Sequence, residues 1–412
     1  MPRRWVIFSI TSANFFLSLF YRSSMAVITP ELLQELSVDT HQLGMISAAF
    51  FYAFALAQIP ISIFLDKIGA RRMMTALSLV GVAGAVLFSR ADTFAAGFVA
   101  RALLGFGMSC NLMGTLKLMT LWFKPYQFAT IAGFIFSIGT LGNMAATVPF
   151  VALVQWMGWR QAFVAIAAVN LLIVIILYLA VRDRPVGGSS GMISEPIELK
   201  LSQNLSNLAL LLTRKDYWII SMATLVGYGT FAAFQTLWAG PYLIESIGLS
   251  AVQTGNMIFL MNLGMIMGAP VWGVLSDRVF KTRKWVIISG TLGTAVVMLI
   301  LAGKTTPPTV ITIGLLFFCY GGFRSAGPLM YPHIKELVPL NAAGSAMTGV
   351  NFFTMIGPAV FLQGLGLMMQ ALYPEASRGL QAFQAAFYVC MGCLFFITLL
   401  YCFTREKQYS SD

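Results

Sequence analysis

Ser62-Ile63-Phe64-Leu65-Asp66-Lys67-Ile68-Gly69-Ala70-Arg71-Arg72 is a short charged knot between two long apolar runs. A second knot, Gly273-Val274-Leu275-Ser276-Asp277-Arg278-Val279-Phe280-Lys281-Thr282-Arg283-Lys284, follows 211 positions later, about half the chain. Each reads small residue, three residues, acid, base and then a basic cluster, at the end of an apolar stretch. A repeat of that period divides the chain into two similar halves, and the apolar runs make each half a bundle of membrane helices.

Composition excludes a soluble fold. Of 412 residues, 58% are apolar and only 10% charged, whereas soluble domains carry about a quarter charged residues. Apolar segments of about 20 residues, the length that crosses a bilayer, number twelve. They lie near 5–35, 41–65, 73–90, 94–122, 127–156, 160–182, 216–247, 250–276, 285–303, 309–337, 341–371 and 380–403. The expected fold is an all-α membrane protein, with twelve transmembrane helices in two pseudo-symmetric six-helix bundles. The expected domains are a bundle over 1–182, a cytoplasmic linker over 183–215, and a bundle over 216–412 ending in a short cytoplasmic tail.

The net charge of +11 raises the question of nucleic acid, and its placement answers it. The side of the amino terminus collects 18 of the 26 Lys and Arg residues; the opposite side has four, Arg90, Arg160, Lys304 and Arg378. This is the positive-inside bias of a multi-pass protein, so both termini are expected in the cytoplasm and no nucleic acid is expected as partner. The setting expected is a plasma membrane, specifically a bacterial inner membrane. The first apolar run is too long for a cleavable leader and is expected to remain as span 1. The cysteines all fall in spans, where Cys390 and Cys393 read as core packing rather than a redox pair.

Four cations lie inside spans: Arg22, Arg101, Lys117 and Arg324. A guanidinium at mid-membrane costs about 2.5–3.5 kcal/mol on insertion scales unless it meets water, a partner or a ligand. Arg22 shares a helical face with Thr11, Asn14 and Ser18, and Arg324 shares one with Tyr320, Gly327 and Tyr331. Span 7 carries Tyr228, Phe231, Gln235, Trp238 and Tyr242 on one face, followed by Gly240-Pro241, where a helix break is expected. No Asp or Glu falls at mid-span. Uncompensated positive charge from both halves therefore points to an anion, which a guanidinium grips with two hydrogen bonds.

The two knots, Arg101-x-x-x-Gly105-x-Gly107 in span 4 and Gly158-Trp159-Arg160-x-x-Phe163 opening span 6 together resemble the major facilitator superfamily over the whole chain. Tyr21-Arg22 resembles its organic-anion branch, in which a span 1 arginine holds a substrate carboxylate or phosphate. That branch often has acids beside this arginine and in span 4, where this chain has Tyr21 and Met108. The resemblance implies alternating access around a midplane site.

The expected function is a secondary active or facilitative transporter of a small organic anion or carboxylate-bearing metabolite, such as a sugar acid, organic acid or amino acid. A multidrug or other-metabolite exporter of the same fold and a non-transporting membrane sensor are the alternatives; an exporter of cations would need a midplane acid. Expected substrate contacts are Tyr21, Arg22, Tyr52, Arg101, Gln235, Trp238, Asn262, Arg324 and Asn351. Asp66, Arg71, Arg72, Asp277, Arg278 and Arg283 are expected to form a conformational latch across the cytoplasmic ends of the halves. No catalytic residue, cofactor or metal is expected. A monomer in the bilayer is expected, with a proton or sodium ion left open as co-transported partner.

Overall fold

A computed structural model describes residues 3–123, 128–183, 211–303 and 309–406. Its first six spans are α1 (Arg3–Ser23) with α2 (Met25–Glu35), α3 (Thr40–Ile68), α4 (Ala70–Ser89), α5 (Phe94–Met108) with α6 (Asn111–Trp122), α7 (Phe128–Ala145) with α8 (Val148–Met157), and α9 (Trp159–Ala180). Spans 7 and 8 are α10 (Lys215–Ser246) and α11 (Ala251–Val279). The last four are α12 (Lys284–Ala302), α13 (Val310–Arg324) with α14 (Met330–Leu337), α15 (Leu340–Leu372) and α16 (Leu380–Tyr401). Every regular element among the described residues is helical, and the twelve expected spans are accounted for.

Local chemistry sets the helix ends. Asp39 starts α3 with a reciprocal cap: its Oδ1 accepts from the Gln42 amide at 2.7 Å, and Gln42 Oε1 accepts from the Asp39 amide at 3.1 Å. Thr93 and Thr309 cap α5 and α13 through their hydroxyls. Gly69 alone turns the chain from α3 into α4, at a φ of 90° that a side chain would strain.

The pseudo-symmetry is visible in the helix crossings. A Cβ added at Gly105 of span 4 would fall 2.0 Å from the Phe50 carbonyl oxygen of span 2. At the matching crossing in the second half, a Cβ at Gly321 of span 10 would fall 1.9 Å from the Met261 carbonyl oxygen of span 8. Gly142 of span 5 meets the Phe16 carbonyl in the same way, and Gly357 of span 11 meets the Leu225 carbonyl, each at 2.2 Å. Helices in lipid gain little from burying oil against oil, so close backbone approach at small residues supplies the attraction.

The chain divides into two compact units. Unit 1 comprises Met1–Gly187, Ala233–Phe259 and Leu362–Gly379; unit 2 comprises Gly188–Ala232, Leu260–Phe361 and Leu380–Asp412. Two stretches of the second sequence half thus pack with the first half. The core of unit 1 includes Ile7, Phe15, Met74, Leu118 and Leu177, and that of unit 2 includes Tyr217, Ile287, Met330, Val350 and Ile397. Val164, Leu172, Ile175 and Leu179 of α9 stand exposed, as lipid-facing side chains do.

Gly240-Pro241 does not break span 7, contrary to the sequence expectation. The helix continues through it, flanked by π-helical turns at Phe234–Trp238 and Tyr242–Ser246. The wide turns absorb the missing proline donor. Gly240 serves contact instead, because a Cβ there would lie 2.0 Å from the Ala26 carbonyl oxygen.

Candidate functional site

Most of the polar face of span 1 is spent on helix packing in unit 1. Asn14 Nδ2 donates to Ser78 Oγ at 2.9 Å and to Asn111 Oδ1 at 3.0 Å. Ser18 Oγ donates to the Met108 carbonyl at 3.3 Å, and Thr115 Oγ1 to the Thr11 carbonyl at 3.3 Å. These bonds fasten spans 1, 3 and 4 together. Asn143 Oδ1 likewise accepts from Ser23 Oγ at 2.8 Å.

Tyr21 and Arg101 lie together, both fully buried. Arg101 Nη1 donates to the Tyr21 carbonyl at 2.8 Å, next to the break between α1 and α2. Its guanidinium lies over the Phe50 ring at 5.0 Å and the Phe88 ring at 5.9 Å, an arrangement that stabilises a desolvated cation by about 2 kcal/mol. Tyr21 packs its ring on Phe163 at 6.2 Å. Arg22, one residue on, is half-buried at the last turn of α1.

Gln235 and Trp238 are each 1% exposed on the π-helical turn of span 7. The Trp238 ring is wedged where Gly44 of α3 and Gly366 of α15 leave room. Tyr52 Oη donates to Gln363 Oε1 at 2.9 Å, and the Thr40 and Ser377 hydroxyls hydrogen-bond each other at 2.6 Å. At the same end of unit 1, Arg160 bonds Glu35 and Asp92 at 2.9 Å each, and Arg378 bonds Glu245 at 2.9 Å. This end is packed shut, with segments from both sequence halves interlocked inside one unit.

Unit 2 holds Arg324, 7% exposed, at the last turn of α13. Its Nε makes no hydrogen bond, and no carboxylate pairs with it among the described residues. Tyr320, Tyr228 and Tyr331 neighbour it. Tyr320 stacks on Phe231 at 5.6 Å. Tyr331 Oη donates to Asn351 Oδ1 at 2.9 Å and has Thr354 Oγ1 as an alternative acceptor at 3.1 Å, placing Asn351 in the same neighbourhood. Asn262 is fully buried on α11. Two residues of this site were not foreseen from sequence as part of it: Gly227, whose position one step before Tyr228 was the available signal, and Thr354, one turn beyond Asn351.

The knots anchor the opposite ends of the spans. Arg71 Nε donates to the Tyr178 carbonyl at 2.8 Å, and its amide donates to Asp183 Oδ1 at 2.9 Å. Lys117 Nζ reaches the Leu65 carbonyl at 2.9 Å, at the end of α3. In unit 2, Arg283 pairs with Asp277 and with Glu336 and donates to Ser276 Oγ at 2.9 Å. Lys284 Nζ binds the Cys402 and Thr404 carbonyls at 2.6 and 2.9 Å. In each half, therefore, a basic residue of the knot ties to the end of that half's last span. Arg72 and Arg278 are exposed, and the Asp66 side chain lies outside the described residues.

The family model described as Major Facilitator Superfamily matches residues 10–362 and 236–411. The chain is 24% identical to a "Probable sulfoacetate transporter" of Cupriavidus necator, covering 87% of this chain and 86% of that protein. It is 27% identical to a "Hexuronate transporter" of Bacillus subtilis, covering 82% of each. Its fold is similar to the crystal structure of a bacterial homolog of the human lysosomal transporter Spinster, with a TM-score of 0.77, 15% identity, and coverage of 97% of this chain and 96% of that one.

Proposed function

Because this chain belongs to the Major Facilitator Superfamily, and so is a multi-pass membrane transporter and not an enzyme, we propose that it carries a small organic anion by alternating access. The cargo class is a carboxylate-bearing metabolite, with sugar acids and short organic acids foremost. Relatives named for sulfoacetate and for hexuronate support that class. The membrane is a bacterial inner membrane, a reading supported by the bacterial relatives, and both termini are cytoplasmic, a reading supported by the placement of basic residues.

One observation carries the reading: the Arg324 guanidinium sits at mid-span, almost wholly out of solvent, with no carboxylate partner among the described residues. A cation desolvated in that way is stabilised when an anion arrives. Beside Arg324, Tyr228, Tyr331 and Asn351 offer hydroxyl and amide partners for a hydroxylated acid; Arg22 is a separate mid-span cation of unit 1. Arg101 is assigned a bracing role, since its guanidinium holds the Tyr21 carbonyl at the kink that presents Arg22. Tyr21, packed among aromatic rings, belongs with that brace. Tyr52, Gln235 and Trp238 line the closed end of unit 1, which must part for cargo to enter or leave there.

No acid sits at mid-span to carry a proton. The anion's own charge is then the handle on the membrane potential, about 2.3 kcal/mol per charge per 100 mV. Uptake of radiolabelled glucuronate and sulfoacetate into proteoliposomes, at set potential and pH, tests the reading. Arg324→Ala and Arg22→Ala are each expected to lower uptake about 100-fold, the cost of losing a charge-assisted pair. Transport by Arg324→Ala at the parent rate would remove the anion site.

A further inference from the structure

We infer that Gly227 and Gly327 form a slot that positions the Arg324 guanidinium, so that this pair of glycines sets anion affinity without touching the anion. The inference rests on reading Arg324 as the anion-binding group. A Cβ at Gly227 would lie 3.3 Å from Arg324 Cζ, 3.3 Å from Nη1 and 3.4 Å from Nη2. Three nearly equal distances place the Gly227 backbone over the face of the guanidinium. A Cβ at Gly327 would lie 2.0 Å from Nη1 and 2.5 Å from Cζ, so a side chain there would push the guanidinium aside. The guanidinium therefore rests against the Gly227 backbone of span 7 and, at the short turn Gly327–Leu329 after span 10, fills the volume that a Cβ would take.

The pseudo-symmetry identifies the slot as specific to the second half. The crossings Gly105 on Phe50 and Gly321 on Met261 align position 108 with 324, and Gly142 on Phe16 and Gly357 on Leu225 align position 18 with 227. In the first half this same pair is Ser18 and Met108, joined by a hydroxyl-to-carbonyl bond at 3.3 Å. The second half removes the hydroxyl and places a guanidinium in the vacated volume. A planar cation held by backbone on its face keeps its edge donors in one orientation, which suits two parallel bonds to a carboxylate.

The test is a double-mutant cycle on glucuronate uptake, with the full-length protein in proteoliposomes. Gly327→Ala is expected to raise KM about tenfold or more in the Arg324 background, because the methyl evicts the guanidinium. In an Arg324→Lys background the same change is expected to have no further effect, because the compact ammonium does not need the slot. Equal losses in both backgrounds would assign Gly327 to the bend of span 10 and overturn the inference. Gly322→Ala, whose Cβ would meet nothing closer than 3.7 Å, is the control and is expected to transport normally.

Should Arg324→Lys carry no uptake, phenylglyoxal modification at Arg324, read by mass spectrometry on purified protein, decides. It is expected to rise severalfold in Gly327→Ala, and in Gly227→Ala if the former does not fold; unchanged modification overturns the slot. Parent-like uptake by Arg324→Ala is a different result, since it removes the anion site itself.

Discussion

Replacing Gly240 with alanine puts a methyl carbon 2.0 Å from the Ala26 carbonyl oxygen, 2.9 Å from its carbon and 3.3 Å from its Cα. A carbon and an oxygen rest near 3.3 Å, so the two backbones must separate by about 1.3 Å. Overpacking of that kind costs about 1–3 kcal/mol, which is about a 5- to 150-fold loss in the population of the closed arrangement. The strain falls where a stretch of the second sequence half, Ala233–Phe259, packs inside unit 1.

A thiol at position 40 reports on it. Thr40 is 2% exposed and bonded to Ser377 in the closed packing, so maleimide reaches Thr40→Cys only when this end opens. In a background lacking the five native cysteines, the alkylation rate of Thr40→Cys is expected to rise about 5- to 150-fold when Gly240→Ala is added. A rate within about twofold of the parent, in protein that still elutes as a single folded species, would refute the idea that this packing is the gate.

Two further outcomes are expected. Asp66→Asn, which tests the latch expected from sequence, should move the resting population the other way, lowering Thr40→Cys alkylation by about 1.5- to 5-fold; unchanged labelling would dismiss the latch. Arg101→Met removes the bond to the Tyr21 carbonyl and should lower stability by about 1–3 kcal/mol in a denaturant titration, with KM changed by less than about threefold. A KM increase above about tenfold with unchanged stability would place Arg101 in contact with cargo.

The fold was legible because membrane insertion leaves a strong mark on sequence. Apolar runs of bilayer length and the paired knots at Asp66 and Asp277 suffice to give twelve spans and two related halves. What failed to show is how polar residues on one face divide their labour. Thr11, Asn14, Ser18 and Arg22 follow one helical spacing, yet Asn14 and Ser18 bond spans 3 and 4 while Arg22 belongs to a different depth of the bundle. Spacing reports direction around a helix and says nothing of which neighbour stands there.

Gly240-Pro241 illustrates the same limit. The pair reads as a breaker from propensity, but proline's missing donor falls on a turn already opened to π geometry, and glycine answers a contact with Ala26. Sequence sets Gly227 beside Tyr228 and Gly327 on the helical face of Arg324, but only the packed structure shows the guanidinium resting against both.

The π turns of span 7 have a mechanical consequence. Ala239 N donates to the Phe234 carbonyl and Ile247 N to the Tyr242 carbonyl, each reaching back five residues rather than four. Letting such a donor slip to the nearer carbonyl breaks no helix, yet everything beyond it advances by about 1.5 Å and swivels by about 100°. The first of these turns begins two residues past the seam between the compact units, at Ala232 and Ala233. A one-residue step at either turn would thus re-aim the side chains beyond it, Trp238 among them at the first, without breaking the span in two.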